Sequence, residues 1–185
     1  MDECGRGSLA GPLVAGAVIF LSPIEEIVSL LPAPLRDSKK LTKIQRQKIF
    51  DSRHIYPISF ALESVSVEEI NRYGIAWANK EVFLRLIHKM NADKYLVDGN
   101  IKFSESNIES VIHGDSQYPQ IMLASILAKV TRDQTMMSLH TLYPHFNWAN
   151  NSGYCTKEHL AALQVHGLST LHRTIFANTA LSNVH

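Results

Sequence analysis

Asp2-Glu3-Cys4-Gly5-Arg6-Gly7-Ser8-Leu9-Ala10-Gly11-Pro12-Leu13-Val14-Ala15-Gly16-Ala17-Val18-Ile19-Phe20 sets two adjacent carboxylates and a glycine-flanked arginine ahead of an apolar, partly β-branched run. Residues 13–20 read as a buried strand, and Gly11-Pro12 as the turn that enters it. Glycines at 5 and 7 let backbone N–H groups come close to a ligand, and Arg6 adds a donor fork suited to phosphate. A tight turn explains Gly-Arg-Gly equally well. Its place beside two acids makes it a candidate site.

Outward from this stretch, strand and helix signals alternate. Residues 57–65 read as a second strand, 94–97 as a short strand ending at Asp98, and 109–113 as another ending at Gly114-Asp115. Thr42-Lys43-Ile44-Gln45 is a capping box for a helix to about residue 53, and Ser66-Val67-Glu68-Glu69 is a second, interrupted near Gly74. Helical apolar spacing marks residues 77–90, and 121–142 is the longest helix candidate. Thr156 can cap a helix over 157–166 that stops at Gly167. Small residues in Ala124-Ser125-Ile126-Leu127-Ala128-Lys129 would let that long helix approach a sheet closely, and Arg132-Asp133 reads as an ion pair. The tail to His185 carries no readable signal. Mixed strands and helices in this order predict an α/β sheet with helices packed against it.

Composition narrows the function. The 185 residues are 45% hydrophobic and 19% charged, an ordinary globular balance, and 18 Lys plus Arg against 17 Asp plus Glu leave a net charge of +1. Binding of nucleic acid by bulk charge is excluded; a local basic face is not. Two cysteines, Cys4 and Cys155, argue against a disulfide scaffold and for a reducing, cytoplasmic setting. No apolar run is long enough to cross a bilayer, so no membrane partner is expected. Phosphate-loop, dinucleotide and nucleophile-elbow motifs are absent, and the histidines lack zinc spacing.

Acids at strand ends carry the remaining chemistry. Asp2, Glu3, Asp98 and Asp115 all stand where a strand meets a turn. Converging there they would repel strongly unless a cation lay between them, and hard Mg²⁺-like ions prefer such oxygen ligands. Taken singly, each is as well explained as a turn residue. Ser38, Lys39 and Lys40, before a capped helix, can grip a phosphate backbone or form a solvated loop. Tyr154, beside Gly153 and ahead of a helix, can stack on a sugar or base or anchor its loop.

Read together, the segment from Asp2 to Val14, Asp37-Ser38-Lys39-Lys40-Leu41, Leu96-Val97-Asp98-Gly99-Asn100, Gly114-Asp115-Ser116, Ala124 to Asp133 and Gly153 to Leu160 resemble bacterial ribonuclease HII, the type 2 ribonuclease H, in the family's order. The resemblance implies a ribonuclease H-like mixed sheet flanked by helices, with a helical C-terminal part from about 145 to 185, as a single domain over 1–185 with a shortened N-terminal strand. It implies an endonuclease that hydrolyses the RNA strand of RNA–DNA hybrids. It also implies incision 5′ to single ribonucleotides in duplex DNA by two-metal-ion hydrolysis, leaving 3′-hydroxyl and 5′-phosphate ends. Asp2, Glu3, Asp98 and Asp115 match the family's carboxylates for Mg²⁺ or Mn²⁺. Gly5, Arg6 and Gly7 match the motif that reads the ribose 2′-hydroxyl, Tyr154 the residue that stacks on the adjoining sugar, and Ser38, Lys39 and Lys40 the region near substrate phosphates. A monomer is expected, and a sliding-clamp contact is left open. A binding module for hybrids without cleavage is the rival reading. The sister enzyme ribonuclease HIII is set aside by the short length and by Tyr154.

Overall fold

The apolar run forms the strand it predicts. In the computed structural model, which describes residues 1–183, β2 spans Leu13–Phe20 and lies between β1 (Asp2–Cys4) and β3 (Ile58–Val65), both antiparallel to it. Asp2 sits opposite Gly16, and Leu13 opposite Val65. A parallel pair, β4 (Tyr95–Asp98) and β5 (Ile108–Val111), extends the architecture. The Asp98 N–H donates to the Met1 carbonyl at 3.0 Å, which sets β4 along the outer side of β1. The three antiparallel strands and the parallel pair are separate ladders that meet at Met1, and together they give the expected mixture of strand directions.

Both faces of that sheet are covered, which is why β2 reads as continuously apolar. Leu13, Ala15 and Ala17 share one core with Val82, Phe83 and Leu86 of α4 (Ile75–Lys89). Val18 turns to the other face, where Leu123, Ile126 and Leu127 of α6 (Pro119–Leu142) meet Ile49 and Phe50 of α2 (Lys43–Asp51). The small residues of α6 act as expected. An ideal Cβ on Gly16 would stand 2.7 Å from the Ala124 carbonyl oxygen, so helix and strand touch through backbone. A third core holds the C-terminal helices: Leu9, Ala10 and Met136 pack with Phe146, Trp148, Leu163 and Ala177.

Local signals set most boundaries. Thr42 and Ser66 each complete a reciprocal capping box, opening α2 and α3 (Val67–Tyr73). Gly74, at φ +84°, separates α3 from α4. The Thr156 hydroxyl accepts the His159 N–H to start α8 (Lys157–His166), which ends at Gly167.

Several expectations change. Residues 109–113 do not all form a strand, because His113 takes a left-handed φ of +58° and β5 stops at Val111. Asp115 therefore lies in the first turn of the short helix α5 (Gly114–Gln117), not in a strand-end turn. The tail is not featureless: α9 runs Thr174–Ser182 with no side-chain cap to announce it, and only residues 184–185 lie outside the described region. Helix α1 (Ile24–Leu30) likewise has no side-chain cap. Arg132 does not pair with Asp133. Neighbours in a helix face different ways, and Asp133 instead takes Lys129, one turn back, at 2.5 Å.

Candidate active site

Three elements deliver three carboxylates to one point. Asp2 comes from β1, Asp98 from the end of β4 and Asp115 from α5, and each offers an oxygen within 4.8 Å of the others'. Asp98 is held by the chain that follows β5: its Oδ1 accepts the Gly114 N–H at 2.6 Å and the Asp115 N–H at 3.4 Å. The approach is tight, since an ideal Cβ on Gly114 would stand 3.2 Å from that same oxygen and 2.7 Å from the end of the Ile121 side chain. One carboxylate thus positions the backbone that carries another.

Asp2 is buried. Burial pushes its pKa up to about 6, helped by the Asp98 charge and opposed by the Ser125 hydroxyl. Glu3 is raised to about 7, first by burial and then by Asp2. Repulsion among these groups is offset in part by Lys39, whose ammonium lies 3.4 Å from Asp115 and is 82% exposed, by Arg6 near Glu3 and by the Met1 ammonium near Asp2. A set of close oxygen donors, short of counter-charge and partly sheltered from water, fits a hard divalent cation.

The remaining sequence candidates gather around this cluster. Asp2, Glu3, Gly5, Arg6, Gly7, Ser38, Lys39, Asp98 and Tyr154 line one cleft of about 320 Å³. Glu3 lines it without joining the three mutually close carboxylates, since adjacent strand residues point to opposite faces. Lys40 is exposed and is not among the lining residues. Sequence reasoning missed Ser125 and Lys129 as cleft residues. The signal was present, because they stand four apart on the helix that packs on β1. The Ser125 hydroxyl meets that of Ser38 at 3.0 Å, tying α6 to the segment that carries Ser38, Lys39 and Lys40.

Arg132 was missed as well. It is fully buried and ties two loops together. Its Nε donates to the Pro12 carbonyl at 3.0 Å, Nη1 to the Ser152 carbonyl at 2.9 Å, and Nη2 to Ser8 Oγ and the Ala10 carbonyl at 2.7 and 3.0 Å. Its guanidinium carbon lies 5.4 Å from the centre of the Tyr154 ring, a cation–π contact. On the other side Gly5, at φ +95°, leaves the room: an ideal Cβ there would stand 2.0 Å from Arg132 Nε.

The raised acids make a prediction with a definite sign. A carboxyl that binds its proton more tightly when folded costs stability as pH rises through the interval between its unfolded and folded values. For Asp2 that interval runs from 3.8 to about 6, worth about 3 kcal/mol by pH 7.5. In chelator, Asp2→Asn is expected to unfold at a higher temperature than the parent at pH 7.5 and to show no advantage at pH 3.5. Saturating Mg²⁺ at pH 7.5 should raise the melting temperature of the parent more than that of the variant. Thermal unfolding of both proteins, with and without metal, reads this directly, and equal metal shifts would rule Asp2 out as a cation ligand.

A mixed sheet with carboxylates converging from its first strand, its fourth strand and the helix after its fifth is the architecture of ribonuclease H-like nucleases. The family model for ribonuclease HII matches residues 1–179, and the chain belongs to that family, whose members are metal-dependent endoribonucleases. The ribonuclease HII of Wolbachia pipientis subsp. Culex pipiens (strain wPip) is 42% identical over 183 residues, covering 96% of this chain and 88% of that one. Among solved structures, the PCNA:RNase HII complex from Archaeoglobus fulgidus matches with a TM-score of 0.80 at 22% identity, over 96% of this chain and 92% of that one. Bst-RNase HIII in complex with Mn²⁺ matches with a TM-score of 0.73 at 16% identity, over 98% of this chain and 68% of that one. These two likenesses speak for the fold.

Proposed function

We propose that this chain cleaves the RNA strand of RNA–DNA hybrids and incises duplex DNA on the 5′ side of a single ribonucleotide, leaving 3′-hydroxyl and 5′-phosphate ends. The observation that carries the reading is the cleft itself, lined by Asp2 and Asp98 together with the Gly5–Gly7 backbone and Tyr154, with Asp115 within ligand reach of both acids. Asp2, Asp98 and Asp115, with Glu3 lining the same cleft, are the groups to hold Mg²⁺ or Mn²⁺; the Mn²⁺ complex of the Bst relative supports that choice. When bound, two such cations supply an activated water and charge neutralisation at the leaving oxygen.

The other residues divide the recognition. A 2′-hydroxyl is what separates one ribonucleotide from its DNA neighbours, and the Gly5, Arg6 and Gly7 backbone lies close enough to the acids to read it. Tyr154, braced by Arg132, offers a ring for the adjoining sugar. Ser38, Lys39 and, further out, Lys40 face the phosphates. A monomer is the expected active species. The Archaeoglobus protein is solved with PCNA, and that supports a sliding clamp as a partner here. Among the described residues no helix is long and apolar enough to cross a membrane. Both cysteines are free, in keeping with action in the cytoplasm.

The deciding experiment is incision of a duplex carrying one embedded ribonucleotide, with Mg²⁺ or Mn²⁺, against an Asp98→Asn control. Cleavage by the parent alone supports the reading. Tight binding without cleavage at saturating metal would leave a hybrid-binding module instead. Tyr154→Ala should lose incision at a single ribonucleotide at least tenfold while its affinity for duplex changes less than twofold; an unchanged rate removes Tyr154 from the site. With a net charge of +1, binding should depend weakly on salt, with a log–log slope shallower than about −3.

A further inference from the structure

Arg173 is as buried as Arg132, and among the described residues it has no carboxylate partner. Its whole fork is spent on main-chain oxygens of the substrate-facing loop. Nε and Nη2 both donate to the Gly11 carbonyl, at 3.1 and 2.9 Å, and Nη1 donates to the Arg6 carbonyl at 2.9 Å. Its own backbone N–H is tied to the Leu9 carbonyl at 2.8 Å, so the fork has a fixed base. A planar guanidinium can hold two carbonyls at a set spacing, where a lysine ammonium is a single point of attachment.

The Arg6 carbonyl belongs to the same peptide unit as the Gly7 N–H. In a trans peptide the two point in opposite directions, and the described chain has no cis bonds. Since Arg173 draws the carbonyl into the interior, the N–H is turned outward. Gly7 is exposed and lines the cleft with Asp2, Asp98 and Tyr154. Its N–H finds no acceptor among the described residues, and an ideal Cβ there would meet nothing within 4 Å. An open, unpaired donor therefore stands at the cleft with its orientation set from behind.

We propose that Arg173 is a positioning residue for substrate discrimination: by holding the Arg6 carbonyl inward it presents the Gly7 N–H as the donor that meets the 2′-oxygen of the substrate ribose. This rests on the ribonucleotide-reading function proposed above. Arg132 serves the far end of the same loop, at Ser8, Ala10 and Pro12, and leaves the Arg6–Gly7 peptide to Arg173.

The test is binding, with Ca²⁺ in place of Mg²⁺ to hold back hydrolysis, of a duplex with one ribonucleotide and of the same duplex in all-DNA form. The parent should prefer the ribonucleotide. Arg173→Lys, which keeps a charge but not the fork, should lose about fivefold to tenfold of that preference, the worth of one hydrogen bond. Its affinity for all-DNA duplex should stay within twofold, a result that a general loss of structure would not produce. A parent without preference overturns the function proposed above; a parent with preference and an Arg173→Lys variant that keeps it overturns this inference alone. Where the variant fails to fold, the parent labelled with ¹⁵N-glycine decides. The Gly7 amide resonance should move on adding the ribonucleotide duplex and not on adding the DNA duplex, and equal behaviour with both sinks the proposal.

Discussion

Asp98→Asn is expected to cut the cleavage rate by about a thousandfold or more while leaving the fold in place. Asparagine keeps the shape of the side chain and one oxygen to accept the Gly114 N–H, now at 2.6 Å. What it loses is the negative charge in the only group of acids, among the described residues, able to offer three mutually close ligands. Metal-centred charge stabilisation supplies several kcal/mol at such a centre, and about 4 kcal/mol corresponds to a thousandfold. Single-turnover cleavage under saturating metal measures the rate, and thermal unfolding shows whether the fold survives. Asp115→Asn should behave alike, whereas Glu3→Gln should cost less, because Glu3 stands outside the close set. A retained tenth of the parent rate in Asp98→Asn would remove Asp98 from the metal site.

Arg132→Met is expected to lower stability by about 3–5 kcal/mol, the range for removing one partner of a buried, hydrogen-bonded charged group. Methionine fills much of the volume but donates nothing, so the carbonyls of Pro12, Ser152 and Ala10 and the Ser8 hydroxyl lose a shared donor. For a chain of this size that is a fall of roughly 10 °C in melting temperature. Gly5→Ala should be damaging for the complementary reason: an ideal Cβ there overlaps Arg132 Nε, and φ +95° disfavours any side chain. Calorimetry on the two variants, with Lys40→Met as an exposed control expected to lie within about 0.5 kcal/mol of the parent, tests the argument. An Arg132→Met protein as stable as the control would mean that these loops hold themselves.

Much of this was legible residue by residue. The run at 13–20, the capping boxes at Thr42 and Ser66, the break at Gly74 and the Thr156 cap with its Gly167 stop depend on local chemistry, and each appears where the pattern places it. The small residues at 124–128 predicted a close helix–sheet contact, and Gly16 against Ala124 is that contact. Helices α1 and α9 escaped notice because neither begins with a side-chain cap. The bound of β5 slipped because His113 adopts a left-handed backbone that nothing in 109–113 advertises.

The amino-acid order alone carried the element types, the fold class and the family resemblance, since caps, turns and hydrophobic period act over a few residues. It also marked which acids to watch. Only the folded chain decided that Asp2, Asp98 and Asp115 stand within reach of one cation and Glu3 beside them. It alone turned Arg132 and Arg173 from ordinary basic residues into buried clamps on a loop more than a hundred positions away. Such partners are chosen by the route of the backbone through space, and a pattern confined to neighbouring residues cannot encode a contact whose two sides meet only after the sheet has formed.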